Sequence, residues 1–201
     1  KSNAWKGVIL DKDGNVVVGR FNVSGKSGYG DTCSVAYNPD ADNFFVVYSF
    51  TYSTGSLWGR VISNNGSLGT EYQVDPYSDY YNYYASKVIY NPESDKYLLG
   101  FCRFNRVKVR YLNSDGTPSG DSFSVSKTQN LDEGGVGLIV AENGTEWAFW
   151  DDLANSEGQS VTGSRYIYSQ KLTGGGPALD NDILLTDFSG DKRKPCVAPG
   201  N

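Results

Sequence analysis

The sequence has 201 residues, with 18 Lys and Arg against 23 Asp and Glu, a formal charge of −5 and a pI of about 4.7. It holds no histidine, which excludes Ser-His-Asp and Cys-His nucleophile systems, His-ligated zinc and haem with a His ligand. The acidic balance argues against a charge-driven nucleic-acid binder, and no apolar stretch approaches the roughly 20 residues that span a bilayer.

Methionine is also absent, even at position 1, so a processed chain or a fragment is expected. With 24 Gly, 15 Tyr, 9 Phe and 4 Trp, the composition suits half-buried pleated strands joined by tight turns. No long stretch places apolar residues at i, i+3, i+4 and i+7, so the expectation is all-β.

The chain opens on Ala4-Trp5-Lys6-Gly7-Val8-Ile9, which aligns with the later Leu57-Trp58-Gly59-Arg60-Val61-Ile62. Asp13-Gly14-Asn15 then forms a hairpin turn into a strand over 16–23. Asp11-Lys12-Asp13-Gly14-Asn15 resembles the start of a calcium loop, but Asn22 stands where the twelfth-position Glu is needed, so a hairpin explains it better.

A complete unit follows. Ser34-Val35-Ala36-Tyr37-Asn38-Pro39 is a strand with an Asn-Pro turn, Phe44 to Tyr48 is an aromatic strand, and Leu57 to Ser63 a third. Asn64-Asn65-Gly66 turns into a fourth, Glu71 to Val74. The order then returns twice. Lys87-Val88-Ile89-Tyr90-Asn91-Pro92, Tyr97 to Phe101, Val107 to Leu112 and Ser122 to Val125 make one unit. A degenerate copy comprises Leu138 to Asn143, Trp147 to Trp150, Arg165 to Leu172 and Asp182 to Leu185, and Cys196 to Ala198 begins another.

We call the strands of a unit a, b, c and d. A solenoid would also repeat, but four-stranded units joined by tight hairpins at this period point to the blades of a β-propeller. The segments resemble degenerate blades of secreted proteins, of the form Val-Ala-Tyr-Asn-Pro, aromatic strand, strand ending in Asp-Gly. The resemblance implies fold only, since propellers host unrelated functions.

The expected organisation is one propeller domain over 1–201. It comprises a partial blade (strands c and d) at 1–23, blades at 33–75, 86–126 and 136–186, and the first strand of a closing blade at 194–201. Joining the ends would make four blades with one strand b missing. That strand would come from a longer propeller chain, a second polypeptide or an irregular last blade.

Strand order puts the a–b and c–d turns on one face and the b–c and d–a connections on the other. The first set is short and the second long and varied, so the long-loop face is the expected site. There, Tyr77, Asp79, Tyr80, Tyr81, Asn82 and Tyr83 combine flat apolar rings with hydrogen-bonding groups, which suits sugar rings or a protein epitope. Trp58, equivalent to Trp5, with Tyr168 and Lys108 in the other units, could line repeated pockets; packing between blades is the plainer role, as for Trp147 and Trp150.

Carboxylates gather on the same face at Asp31, Asp75, Asp79, Asp132, Glu133, Asp151, Asp152, Glu157, Asp187 and Asp191. No motif requires a cofactor, but Asp31, Asp132 and Asp187 offer oxygen ligands for Ca²⁺ or Mg²⁺. The leading expectation is a secreted, non-catalytic, lectin-like protein that recognises a glycan or glycoprotein. The alternatives are a carboxylate- or metal-dependent hydrolase of glycans or phosphodiesters, and an assembly or toxin subunit of a larger extracellular protein. Sequons at Asn22, Asn65 and Asn143 fit a secretory route. Of three cysteines, Cys33 and Cys196 begin equivalent strands and could latch the ring as a disulfide. Cys33–Cys102 is the rival pairing.

Overall fold

The computed structural model describes residues 4–51, 56–75, 84–103, 106–126, 135–153, 165–186 and 195–198. They form an all-β structure of antiparallel sheets. The partial blade pairs β1 (Lys6–Leu10) with β2 (Val16–Asn22). The second blade is β3 (Tyr29–Asn38), β4 (Asn43–Thr51), β5 (Leu57–Ser63) and β6 (Tyr72–Asp75), in that spatial order. The third is β7 (Tyr84–Asn91), β8 (Lys96–Arg103), β9 (Arg106–Asn113) and β10 (Phe123–Ser124). The fourth is β11 (Val136–Val140), β12 (Glu146–Asp152) and β13 (Tyr166–Thr173), whose far edge pairs with both β14 (Gly176–Pro177) and β15 (Ile183–Leu184).

Strands a to d therefore succeed one another as sequence spacing predicted. Two details differ. The fourth strand of the last blade is split into β14 and β15, the first piece being the counterpart of the single bridges Ile62–Leu68 and Leu112–Pro118 beside the hairpins of the other two complete blades. Pro195–Ala198, expected as a strand a, carries no ladder. It lies against β11 instead, its Pro195 carbonyl oxygen 3.1 Å from where a Cβ on Gly137 would stand.

The apolar runs in the b strands are continuous because both faces of those strands are buried. In β4, Phe45 and Val47 pack toward the third blade, while Val46, Tyr48 and Phe50 pack toward the partial blade. In β8, Tyr97, Leu99 and Phe101 face the second blade, and Leu98 and Cys102 face the fourth. Period-two alternation thus sorts one strand between two interfaces. Each fully buried Phe or Leu in these layers contributes about 1.5–3 kcal/mol. The inner strands also meet through polar groups. The hydroxyls of Thr32 and Ser86 are 2.9 Å apart, and the Val88 amide donates to Ser34 Oγ at 3.1 Å.

The short-turn face is closed by its own side chains. Asn38 Oδ1 accepts the amides of Asp40 and Ala41, and Asn91 Oδ1 accepts that of Glu93. These are Asx turns, the reason the Asn-Pro pairs recur. Glu146 accepts from the Tyr111 hydroxyl at 2.5 Å and from Asn91 Nδ2 at 2.7 Å, fastening the third blade to the fourth. At the first hairpin, Asp11 Oδ1 accepts the amides of Asp13 and Asn15. Its carboxyl is held below the usual range, chiefly by its bond from the Asn15 side chain. The Asp-Gly segment is a turn.

Cys33, Cys102 and Cys196 are free thiols, so neither Cys33–Cys196 nor Cys33–Cys102 is bridged. Cys102 is buried in the core between the third and fourth blades, while Cys33 and Cys196 are exposed. The latch expected between strands a is not formed.

Candidate functional site

The long-loop face is framed by the upper ends of strands b, c and d. Arg103 ends β8, and its Nη1 lies 3.2 Å from Oδ2 of Asp75, which ends β6 in the preceding blade. Both side chains are buried. One blade on, Arg165 precedes β13 and sets its Nη1 2.7 Å from Oδ2 of Asp151 on β12, again with both partners buried. Asp152, beside it, is buried too. Removing such charges from water is costly, and close pairing offsets the cost only with good geometry. Two buried Asp-Arg pairs, one bridging the second and third blades and one within the fourth, are therefore built features of this face.

Lys108 on β9 lies within the influence of the first pair. Burial, then repulsion from Arg103, holds its ammonium below the usual lysine range, while Asp75 opposes the shift. Burial, followed by the nearby Asp152 carboxylate, pushes the Tyr168 phenol up to about 12. The indole Nε1 of Trp150 and the hydroxyl of Ser126 are buried without a hydrogen-bond partner among the described residues. The arginines pinned to carboxylates are buried fixed charges at the loop ends of their strands, with half-buried Lys108 close to the first pair.

Tyr77, Asp79, Tyr80, Tyr81, Asn82 and Tyr83 lie outside the described residues, as do Asp132 and Asp187. Asp31 falls within β3. Among the described residues no three metal-ligating side chains cluster. What can be located is where the tyrosine-rich segment leaves and returns. It departs directly after Asp75 and rejoins the sheet at Tyr84, whose backbone pairs with Cys102. Both ends of the 76–83 connection thus flank Arg103.

Trp58 is half-buried and packs with the core between the partial and second blades. The Lys26 ammonium sits 4.6 Å from its ring centroid, a cation–π contact that occupies one face of the indole. Trp5 packs in the same layer and donates its indole N–H to the Ser49 carbonyl at 3.3 Å. Trp150 is fully buried and stacks on Tyr168. Asn22, Asn65 and Asn143 are exposed. The last two sit in turns of the opposite face, where their side-chain oxygens accept the amides of Ser67 and Thr145.

The buried Asp-Arg pairs were not singled out from the sequence. Asp75, Asp151 and Asp152 stood among the gathered carboxylates, but nothing marked Arg103 or Arg165 as their partners. An arginine within an otherwise apolar strand end, as in Gly100-Phe101-Cys102-Arg103, was the available signal.

No family model matches the chain, and no curated protein does. Solved structures do. A GH43_12 protein from a capybara gut metagenome superposes with a TM-score of 0.50 at 15% identity, over 79% of this chain and 31% of that one. An engineered GH43 glycoside hydrolase with endo-xylanase and exo-arabinofuranosidase activity gives 0.50 at 12%, over 81% and 31%. The Dos1 propeller gives 0.50 at 16%, over 88% and 41%. The fold is that of a partial β-propeller. This chain spans about a third of the length of the two GH43 proteins, and at such identities the likeness carries the propeller fold and nothing finer.

Proposed function

We propose that the chain forms part of a secreted, lectin-like propeller that binds a glycan or glycoprotein on its long-loop face without altering it. The observation that carries this reading is the tether at Arg103. Asp75, in an ion pair with Arg103, launches the tyrosine-rich connection, and Tyr84, paired with Cys102, receives it. A tyrosine-rich sequence whose two ends are held beside the Asp75–Arg103 pair carries the residue types that meet the two demands of a sugar, apolar C–H faces and vicinal hydroxyls. The GH43 propellers with a similar fold are glycoside hydrolases by name, which is consistent with a carbohydrate ligand.

The test is a glycan array probed with the 201-residue chain and with a Tyr80→Ala/Tyr81→Ala double variant. Glycan binding by the native chain that drops at least about tenfold in the variant is the expected result, each tenfold being about 1.4 kcal/mol. An array without hits sinks the reading. Release of reducing sugar from the bound glycan would instead transfer the site to the carboxylate hydrolase class, with EDTA treatment reporting on a metal.

A further inference from the structure

Among the described residues, β1 pairs with β2 on one side only. In each complete blade the equivalent strand c has strand b along that edge: β5 has β4, β9 has β8 and β13 has β12. Beside the free edge runs an apolar groove of about 360 Å³. Its floor is the whole of β1, and its wall is the face of the second blade at Cys33, Val35, Phe44 and Val46.

The wall identifies the occupant's shape. On its opposite side, β3 packs against β7, the inner strand of the next blade, through Thr32–Ser86 and Ser34–Val88 contacts. β4 likewise packs toward Tyr97, Leu99 and Phe101 of β8. The groove is the mirror position on the near side, and it continues the established core of Ile9, Val46 and Ile62 between the partial and second blades.

The edge is only lightly defended: Lys6 at its start is exposed and its pairing with β2 is irregular, but the rest of β1 is uncharged. Edge strands are commonly blunted by charge, proline or a covering element. Here Val8 is 50% exposed, Leu10 52% and Val35 58%.

We propose that this groove receives a two-stranded a–b hairpin of the same repeat type, supplied from outside the described residues, which adds to the free edge of β1 and completes the blade. Main-chain hydrogen bonds to β1 supply register, and alternate apolar side chains of the incoming strands fill the space against Val35 and Val46, as in strand-addition complexes generally. The surface is separate from the long-loop face, so its fate is independent of glycan binding.

The probe is a backbone-cyclised peptide of this chain's own β7–β8 hairpin, residues 84–103 with Cys102→Ser, added to the 201-residue protein. A scrambled cycle serves as control. The expected result is saturable binding that shifts Trp5 emission and slows alkylation of Cys33 at least about tenfold. Val35→Asp should weaken that binding by at least about tenfold, since it buries a charge without a partner. Val35 is exposed in the unfilled groove, so this variant keeps its circular dichroism and thermal midpoint, and Val8→Asp provides a second independent probe. Absence of saturable binding to the folded protein overturns the proposal, as does binding indifferent to both variants. Self-association abolished by Val35→Asp, without hairpin binding, also overturns it by assigning the groove to a second copy.

Discussion

Arg103 on β8 reaches across the blade boundary to Asp75 on β6, with 3.2 Å between Nη1 and Oδ2 and both side chains removed from solvent. The pair ties the exit of one blade to the b strand of the next. Neutralising one partner leaves the other charge buried. Arg103→Met is therefore expected to lower unfolding free energy by about 3–5 kcal/mol. Asp75→Asn paired with Arg103→Met should recover much of that loss, because the doubly neutral pair strands no charge. Urea unfolding of the single and double variants measures both effects, and glycan binding by the stable double variant separates binding from stability.

Buried tyrosines give the stability a defined alkaline limit. Burial is the first cause that pushes Tyr97 and Tyr168 up to about 12, against about 10 in an unfolded chain. Below pH 10 both states hold the phenolic protons, and the stabilisation is fully present. As pH rises from 10 to 12 the unfolded state ionises first, so stability falls across that window. Denaturant midpoints should be insensitive to these groups up to about pH 9 and decline above it. Tyr168→Phe should make the decline shallower by one proton's slope, whatever it does to the midpoint at neutral pH.

Much of this architecture was readable because its causes are local. The Asn38 and Asn91 side chains cap their own turns, and the apolar runs of β4 and β8 are continuous because each is buried on both faces. The sequence therefore marks where strands turn and how many a blade holds. The ion pairs at the long-loop face were not legible, because Asp75 and Arg103 are 28 residues apart and belong to different blades. The Asp75–Arg103 contact follows from blade stacking, and that of Asp151 with Arg165 from the pairing of β12 with β13, not from any motif. At Trp58 the periodic position allowed either blade packing or a repeated pocket; the ring packs with the core between the partial and second blades, and the Lys26 ammonium lies over it, a partner that no spacing in the sequence marked.

Two glycines with the same backbone twist should respond differently to alanine. Gly14 has φ +85° with nothing within 4 Å of an added Cβ, whereas Gly116 has φ +86° and would place that atom 2.7 Å from the Phe45 ring. Gly14→Ala therefore incurs only left-handed backbone strain, about 1 kcal/mol. Gly116→Ala adds a clash with a fully buried ring and should destabilise by about 1–3 kcal/mol more. Thermal midpoints of the two variants test the ordering. Equal midpoints would mean that Phe45 yields without cost.

Thiol chemistry separates the three cysteines by burial. Cys33 and Cys196 are exposed, while Cys102 is 2% exposed within the core between the third and fourth blades. Though accessible to solvent, the Cys33 thiol lines the wall of the apolar groove, and the resulting desolvation holds it above its ordinary range. A smaller thiolate fraction slows its attack on an alkylating reagent at neutral pH. Native protein given iodoacetamide should thus label Cys196 and Cys33, with Cys33 slower and accelerating as pH rises. Cys102 should label only when the fold opens, at a rate set by the unfolding equilibrium. Mass mapping of labelled peptides checks this. A Cys33–Cys196 bridge in the native material would show as two unlabelled sites that become reactive only after reduction.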